Sequence, residues 1–158
     1  MKRLRIAALA VLVLSASAWA ADLPTKFDPA RDAVTDVAMA VAQAKQQGKR
    51  VLVDVGGEWC AWCRIMDRFF TDNARARSLR DASYVWVKVN WSRENRNETL
   101  LSRWPKIDGY PHLFVLEADG SLLHSQDTSL LEQGRGYDAG KFIAFLERWK
   151  PRATKRAA

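Results

Sequence analysis

Two cysteines, Cys60 and Cys63, stand three residues apart in the run Trp59-Cys60-Ala61-Trp62-Cys63. A pair so spaced at the start of a helix can interchange a dithiol and a disulfide. The first sulfur lies near the unpaired N–H groups and positive dipole end of the helix, which stabilise its thiolate. The second lies one turn along, within reach of a disulfide. The spacing by itself leaves other readings open: a structural bridge, half of a zinc site, or two incidental core thiols. Zinc asks for four ligands, and beyond the two cysteines only His112 and His124 are at hand. A purely structural bridge across so short a loop would remove little entropy from the unfolded chain. Two thiolates with His112 nearby could also hold a soft ion such as Cu(I).

The elements that must position this pair follow from periodicity. Asp32 to Gln47 reads as an amphipathic helix, with Val34, Val37, Ala38, Val41 and Ala42 at helical spacing and Gly48 ending it. Arg50 to Val55 reads as a buried strand. Gly56-Gly57 turns the chain, and Cys60 opens a helix carrying Ile65, Met66, Phe69 and Phe70. A short second helix covers Ala74 to Arg80. Tyr84 to Asn90 alternates Val85, Val87 and Val89 against Trp86 and Lys88, a strand pattern. Thr99 to Trp104 reads as a short helix. Gly109-Tyr110-Pro111 turns into a strand from His112 to Leu116. Ala118-Asp119-Gly120-Ser121 is a hairpin turn, and Leu122 begins the return strand. Asp138 to Trp149 closes the domain as a helix. The order predicts an α/β fold, a mixed central sheet flanked by helices on both faces.

The ends of the chain bear on compartment. Lys2, Arg3 and Arg5 precede an apolar run from Ile6 to Leu14 and then Ala18-Trp19-Ala20. This is the layout of a secretory signal peptide over 1–20, with cleavage expected before Ala21. The run is short for a membrane span. The expected division is therefore a leader at 1–20, one domain at 21–150 and a basic flexible tail at 151–158. Export would place the thiols where they can be oxidised, and the absence of an endoplasmic-reticulum retention tail favours a bacterial periplasm. The 158 residues carry a net charge of +7, three of the basic groups lying in the leader. With no basic stripe interleaved with aromatics, nucleic acid is not an expected partner. A monomer is expected.

The stretch from about Arg50 to Trp149 resembles the thioredoxin family. Val53-Asp54-Val55-Gly56-Gly57-Glu58-Trp59-Cys60-Ala61-Trp62-Cys63-Arg64 is similar to the strand, turn and active-site helix of that fold, and Gly109-Tyr110-Pro111 to its cis-proline loop. The resemblance implies that Cys60 is the nucleophile and Cys63 the resolving thiol of a redox-active disulfide. It implies that Asp54 lies under the pair and moves protons to and from the second sulfur, a task suited to a buried carboxylate of raised pKa; a capping or water-facing Asp54 is the alternative. Lys88 matches a lysine neighbouring that carboxylate, or else is a solvated strand lysine. Pro111, after an expected cis bond, would pair with substrate backbone. Tyr110 would touch the sulfurs, and His112 would tune them or bond to backbone. Trp59 and Trp62 would form a docking rim, with Trp59 partly buried.

Ala-Trp separates the cysteines, without the histidine found there in strongly oxidising members of the family, which leans the reading towards a reductant. Phe70-Thr71-Asp72-Asn73 and the polar Ser92–Trp104 bring the chain closer to the soluble C-terminal domain of transmembrane thiol–disulfide interchange proteins and to small exported bacterial relatives. The implied activity is an exported thiol–disulfide oxidoreductase acting on protein disulfides. It would need no cofactor and no metal, and a membrane-bound dithiol would supply its electrons. A non-catalytic binding or chaperone module on the same fold, and a soft-metal chaperone, are the alternatives.

Overall fold

The computed structural model describes residues 22–152; the expected leader and residues 153–158 of the expected tail lie outside the described residues. Helix α1 spans Ala33–Gln47. Asp32 is its N-cap rather than its first turn, and the carboxylate accepts the Thr35 N–H at 2.6 Å. Gly48, at φ 65°, ends the helix in the left-handed conformation that glycine adopts without steric cost. Strand β1 (Arg50–Gly56) follows, then α2 (Ala61–Asp72), α3 (Ala74–Ser83) and β2 (Tyr84–Asn90). Asn73 separates the two helices, and its side chain caps the second by accepting the Ala76 N–H.

Helix α3 runs past Arg80, where the sequence suggested an end. The Arg80 guanidinium does not reach for solvent; it lies over the Phe70 and Trp86 rings, 4.5 and 4.0 Å from their centroids. Helix α4 is one turn, Glu98–Leu101, not Thr99–Trp104. Its end continues as tighter turns, with Arg103 and Trp104 donating to the carbonyls three residues back. Pro105 disfavours helical geometry at Trp104. Strands β3 (His112–Leu116) and β4 (Leu122–Asp127) form the hairpin. A 3-10 turn over Thr128–Leu131 then leads to a small hairpin, β5 (Glu132–Gln133) and β6 (Gly136–Tyr137), which the sequence did not announce. Helix α5 (Ala139–Trp149) begins at the Asp138 cap.

The main sheet has strand order β2-β1-β3-β4. The β1–β2 pair is parallel, and both β1–β3 and β3–β4 are antiparallel, so the sheet is mixed as expected. Alternation divides each strand between two cores. Val51, Val53, Val55, Val85, Val87, Val89, Phe114 and Leu116 meet α1 and α4. Leu52, Tyr84, Leu113 and Val115 meet Met66 and Phe70 of α2, Ala76 of α3, and Phe142, Phe145 and Leu146 of α5. Burying each such aliphatic or aromatic side chain contributes about 1.5–3 kcal/mol, which fixes the register of the sheet and therefore which β1 residues lie under α2.

Candidate dithiol–disulfide site

Cys60 and Cys63 are joined in a disulfide, both sulfurs buried at the start of α2. Cys60 is the N-cap residue, and its Sγ accepts the Cys63 N–H at 3.1 Å. The first sulfur thus occupies the position where a helix presents unpaired donors and the positive end of its dipole. No acidic residue stands in the first turn of α2 to oppose a thiolate there. The approach depends on two glycines. A Cβ on Gly56 would stand 2.4 Å from Cys63 Sγ, and one on Gly57 would stand 2.2 Å from Trp59 Nε1 and 2.9 Å from the Trp91 carbonyl.

Asp54 shares a face of β1 with Gly56, two residues on, and so points under Cys63. It is 1 % exposed, which rules out the water-facing alternative. The parallel register pairs it with Lys88 of β2, and Lys88 Nζ lies 3.2 Å from Asp54 Oδ2. Lys88 is 5 % exposed, not a solvated strand lysine, and its ammonium also donates to Asp67 Oδ1 at 2.8 Å. Asp54 Oδ1 has no hydrogen-bond partner among the described residues. Burial raises the Asp54 pKa despite the attraction of Lys88. Burial works against charge on Lys88 too, but Asp54 and Asp67 outweigh it and the Lys88 pKa ends above its ordinary value. The two shifts favour an ammonium on Lys88 and a proton on Asp54 that is held more firmly than on an ordinary carboxylate.

The rim is aromatic. Trp59 is 53 % exposed, contrary to the expectation of partial burial. Its Nε1 donates to the Trp91 carbonyl at 2.8 Å, which holds the indole over Gly57 and out of the core. Trp59 meets Trp91 and Tyr110 edge-on, and those two stack at 4.8 Å. Tyr110 also lies against the cluster of Phe27 and the two cysteines. Trp62 is the half-buried member of the tryptophan pair and leans edge-on against Tyr137 of the small hairpin. The Tyr110–Pro111 peptide bond is cis, and the Pro111 carbonyl accepts the Thr128 hydroxyl. His112 is buried on the Phe114 side of β3, with a ring nitrogen 2.8 Å from Ser125 Oγ, so its partner is a side chain rather than backbone. Burial lowers its pKa, leaving a neutral ring.

Four contributors were not singled out from the sequence. Asp67 follows Cys63 by four residues on α2, a helical spacing that could have flagged it. Trp91 follows directly on β2, at the end of the sheet where Gly56 leaves β1. Tyr137 sits on a two-residue strand without a local signal, and Phe27 lies upstream of α1 in a segment of no periodicity.

The thioredoxin-like family model matches residues 32–118, more than half of the chain. The chain belongs to the thioredoxin-like family. Its curated relatives include two proteins named thiol:disulfide interchange protein DsbD. The one from Pseudomonas fluorescens is 32% identical over 111 residues, 70% of this chain and 17% of the relative. The one from Salmonella paratyphi A is 27% identical over 122 residues, 73% of this chain and 21% of the relative. The chain therefore spans about a fifth of those proteins. Among solved structures, the disulphide isomerase from Xylella fastidiosa Temecula1 superposes with a TM-score of 0.66 at 27% identity, covering 80% of this chain and 96% of that one. The oxidised DsbD C-terminal domain of Neisseria meningitidis shares the fold, with a TM-score of 0.56 at 22% identity, covering 76% and 97%. The cysteines, Asp54, Lys88, Tyr110 and Pro111 all lie in the matched span.

Proposed function

We propose that this thioredoxin-like chain is an exported thiol–disulfide oxidoreductase that exchanges the Cys60–Cys63 pair with disulfides of protein substrates, working as a reductant. The observation that carries this reading is the disulfide at the α2 N-cap backed by a buried carboxylate with an unpartnered oxygen. In the reduced protein, the Cys60 thiolate attacks one sulfur of a substrate disulfide, forms a mixed disulfide and expels a substrate thiolate. Asp54 takes the proton of the Cys63 thiol. The Cys63 thiolate then attacks Cys60 Sγ, breaking the mixed disulfide and releasing the second substrate thiolate. Two electrons pass to the substrate, and Cys60–Cys63 closes as seen here. Trp59 and Tyr110 offer apolar surface to the substrate chain beside the sulfurs, and the backbone at Tyr110–Pro111 would pair with it.

The leader-like 1–20 and the bacterial sources of the relatives support a periplasmic location. A reductant in an oxidising compartment needs reloading, and a membrane-bound dithiol is the donor this reading requires. The His112 ring that would complete a soft-metal site bonds Ser125 instead, which favours exchange over metal carriage. The test is insulin reduction together with titration of the couple against glutathione. Wild-type protein should reduce insulin, with a potential nearer to thioredoxin than to the strongly oxidising members of the fold. Activity no better than that of Cys60→Ser would refute it. Cys63→Ser should accumulate mixed disulfides with substrates; a pure binding module would form none.

A further inference from the structure

Phe27 lies outside every regular element, yet it is 4 % exposed and clusters with Cys60 and Cys63. A Cβ on Gly56 would stand 3.0 Å from its Cζ, so the ring covers the same patch of β1 that Cys63 approaches. Its face also covers the ammonium of the charged pair: Lys88 Nζ lies 4.1 Å from the ring centroid. The segment carrying it is fastened at several points. The Phe27 N–H donates to Glu58 Oε1 at 3.1 Å, just before the cysteine motif. Asn95 donates to the carbonyls of Pro29 and Arg31, and Arg31 pairs with Asp36 of α1. An apolar residue tied to the active-site turn, the ammonium and the β2–α4 loop at once does more than fill space.

On another side Lys88 borders an open cleft. The cleft, of about 250 Å³, lies between Thr25, Asp67, Arg77 and Trp86. Phe27 covers the Gly56 side of β1, the face on which Asp54 and Cys63 lie. We propose that Phe27 is a positioning residue for thiol–disulfide exchange: its ring seals the Asp54–Cys63 side of the site against water, acting through those groups without touching the substrate. The proposal rests on the exchange reading above. The other charged or titratable groups acting on Asp54 are Lys88 from β2, Asp67 from α2 and Arg80 from α3, and Tyr137 of β6 feels its charge. Desolvation is the largest influence on Asp54, and on this reading the Phe27 ring, packed beside Gly56 and over Lys88, keeps water from that side of the carboxyl.

The experiment follows the Asp54 carboxyl by carbon NMR through a pH titration of the reduced protein, alongside the pH dependence of the step that releases the mixed disulfide. In Phe27→Ala both inflections should move together towards the ordinary carboxylate range, by about one pH unit, as water gains access. Phe27→Leu keeps an apolar cover but loses the ring face, and should move them less, in the same direction. A folded Phe27→Ala whose inflections coincide with wild type overturns the proposal. If Phe27→Ala does not fold, coincidence in Phe27→Leu overturns it equally. A lowered melting temperature with unmoved inflections means a merely structural role and also overturns it. Should wild type show no exchange at all, the functional reading fails, while the NMR titration still decides the role of Phe27.

Discussion

The two faces of the central sheet are made by the same strands and do different work. Towards α1, β1 and β2 present Val51, Val53, Val55, Val85, Val87 and Val89, a layer of one residue type whose only task is to be dry and close-packed. Towards α2, the intervening positions present Leu52, Asp54 and Gly56 on one strand and Tyr84, Trp86 and Lys88 on the other. Parallel pairing at Asp54↔Lys88 places the two charges side by side. The aliphatic face can hold the register alone, because a slip of one residue would exchange the faces and expose every valine. With register secured there, the α2 face can bear a buried carboxylate, a lysine and a glycine, none of which stabilises a sheet. Stability and chemistry are divided across one layer of backbone.

The division is testable by asking each face for the other's phenotype. The largest effect on stability should come from the dry side. Phe114→Ala empties a fully buried site against Trp104 and His112 and should cost about 3–5 kcal/mol in urea unfolding. The folded fraction should still reduce insulin at the wild-type rate. Loss of exchange in folded Phe114→Ala would mean the faces are not separable.

Asp54→Asn should do the reverse. Release of the mixed disulfide should slow by about 10²-fold, the scale of a lost general base, as read by stopped-flow quench of the Cys60-linked intermediate. Stability should not fall. A carboxyl whose folded pKa is raised binds its proton more firmly in the folded state, so its contribution is full below the unfolded pKa and is lost as pH rises through the folded one. The melting temperature of Asp54→Asn should therefore match wild type in acid and exceed it at neutral pH. A variant less stable than wild type at neutral pH would mean that the charged pair holds the fold together.

This asymmetry also explains what could be read from the sequence. The valine alternation, the helical spacing of Val34, Val37 and Val41 and the Cys-x-x-Cys motif are local patterns, and local patterns gave the sheet, the long helices and the cysteine pair. Asp54 was legible because it interrupts an apolar strand, and Lys88, which fits its strand's alternation, through the family resemblance. Whether each faced water was not, since it depends on the pairing of β1 with β2 and on α2 above them. Phe27 and Tyr137 were invisible for the same reason. Neither lies in a periodic segment, and both reach the site through contacts distant in sequence. Trp59 was misplaced because its exposure is set by one hydrogen bond to Trp91, a loop carbonyl that no spacing predicts.

Lys88→Met separates charge from packing on the α2 face. The methionine stem can fill the space beneath Phe27 and Trp86, so the loss isolates the ammonium. Without it the Asp54 carboxyl keeps its proton to higher pH, and the acid limb of the release step should move up in pH. At neutral pH the rate should fall about tenfold, equivalent to about 1.4 kcal/mol of barrier. An unmoved pH profile would leave Lys88 a packing residue like the valines behind it.

Asp67→Asn should give the smallest effect, and its size shows where the buried region ends. Asp67 is the outer acceptor of the same ammonium and is 47 % exposed, so solvent screens its pull on Lys88. Removing its charge should cost less than about 1 kcal/mol of stability. Exchange has a definite direction of change. With Asp67 neutral, Lys88 turns its charge more fully to Asp54, and a carboxylate next to a less shared cation ionises more readily. The acid limb should move to lower pH, opposite to Lys88→Met and by a smaller amount. A shift in the same direction as Lys88→Met would instead mean that Asp67 holds the ammonium in position, and that the working pair extends from the buried face of β1 out to the surface of α2.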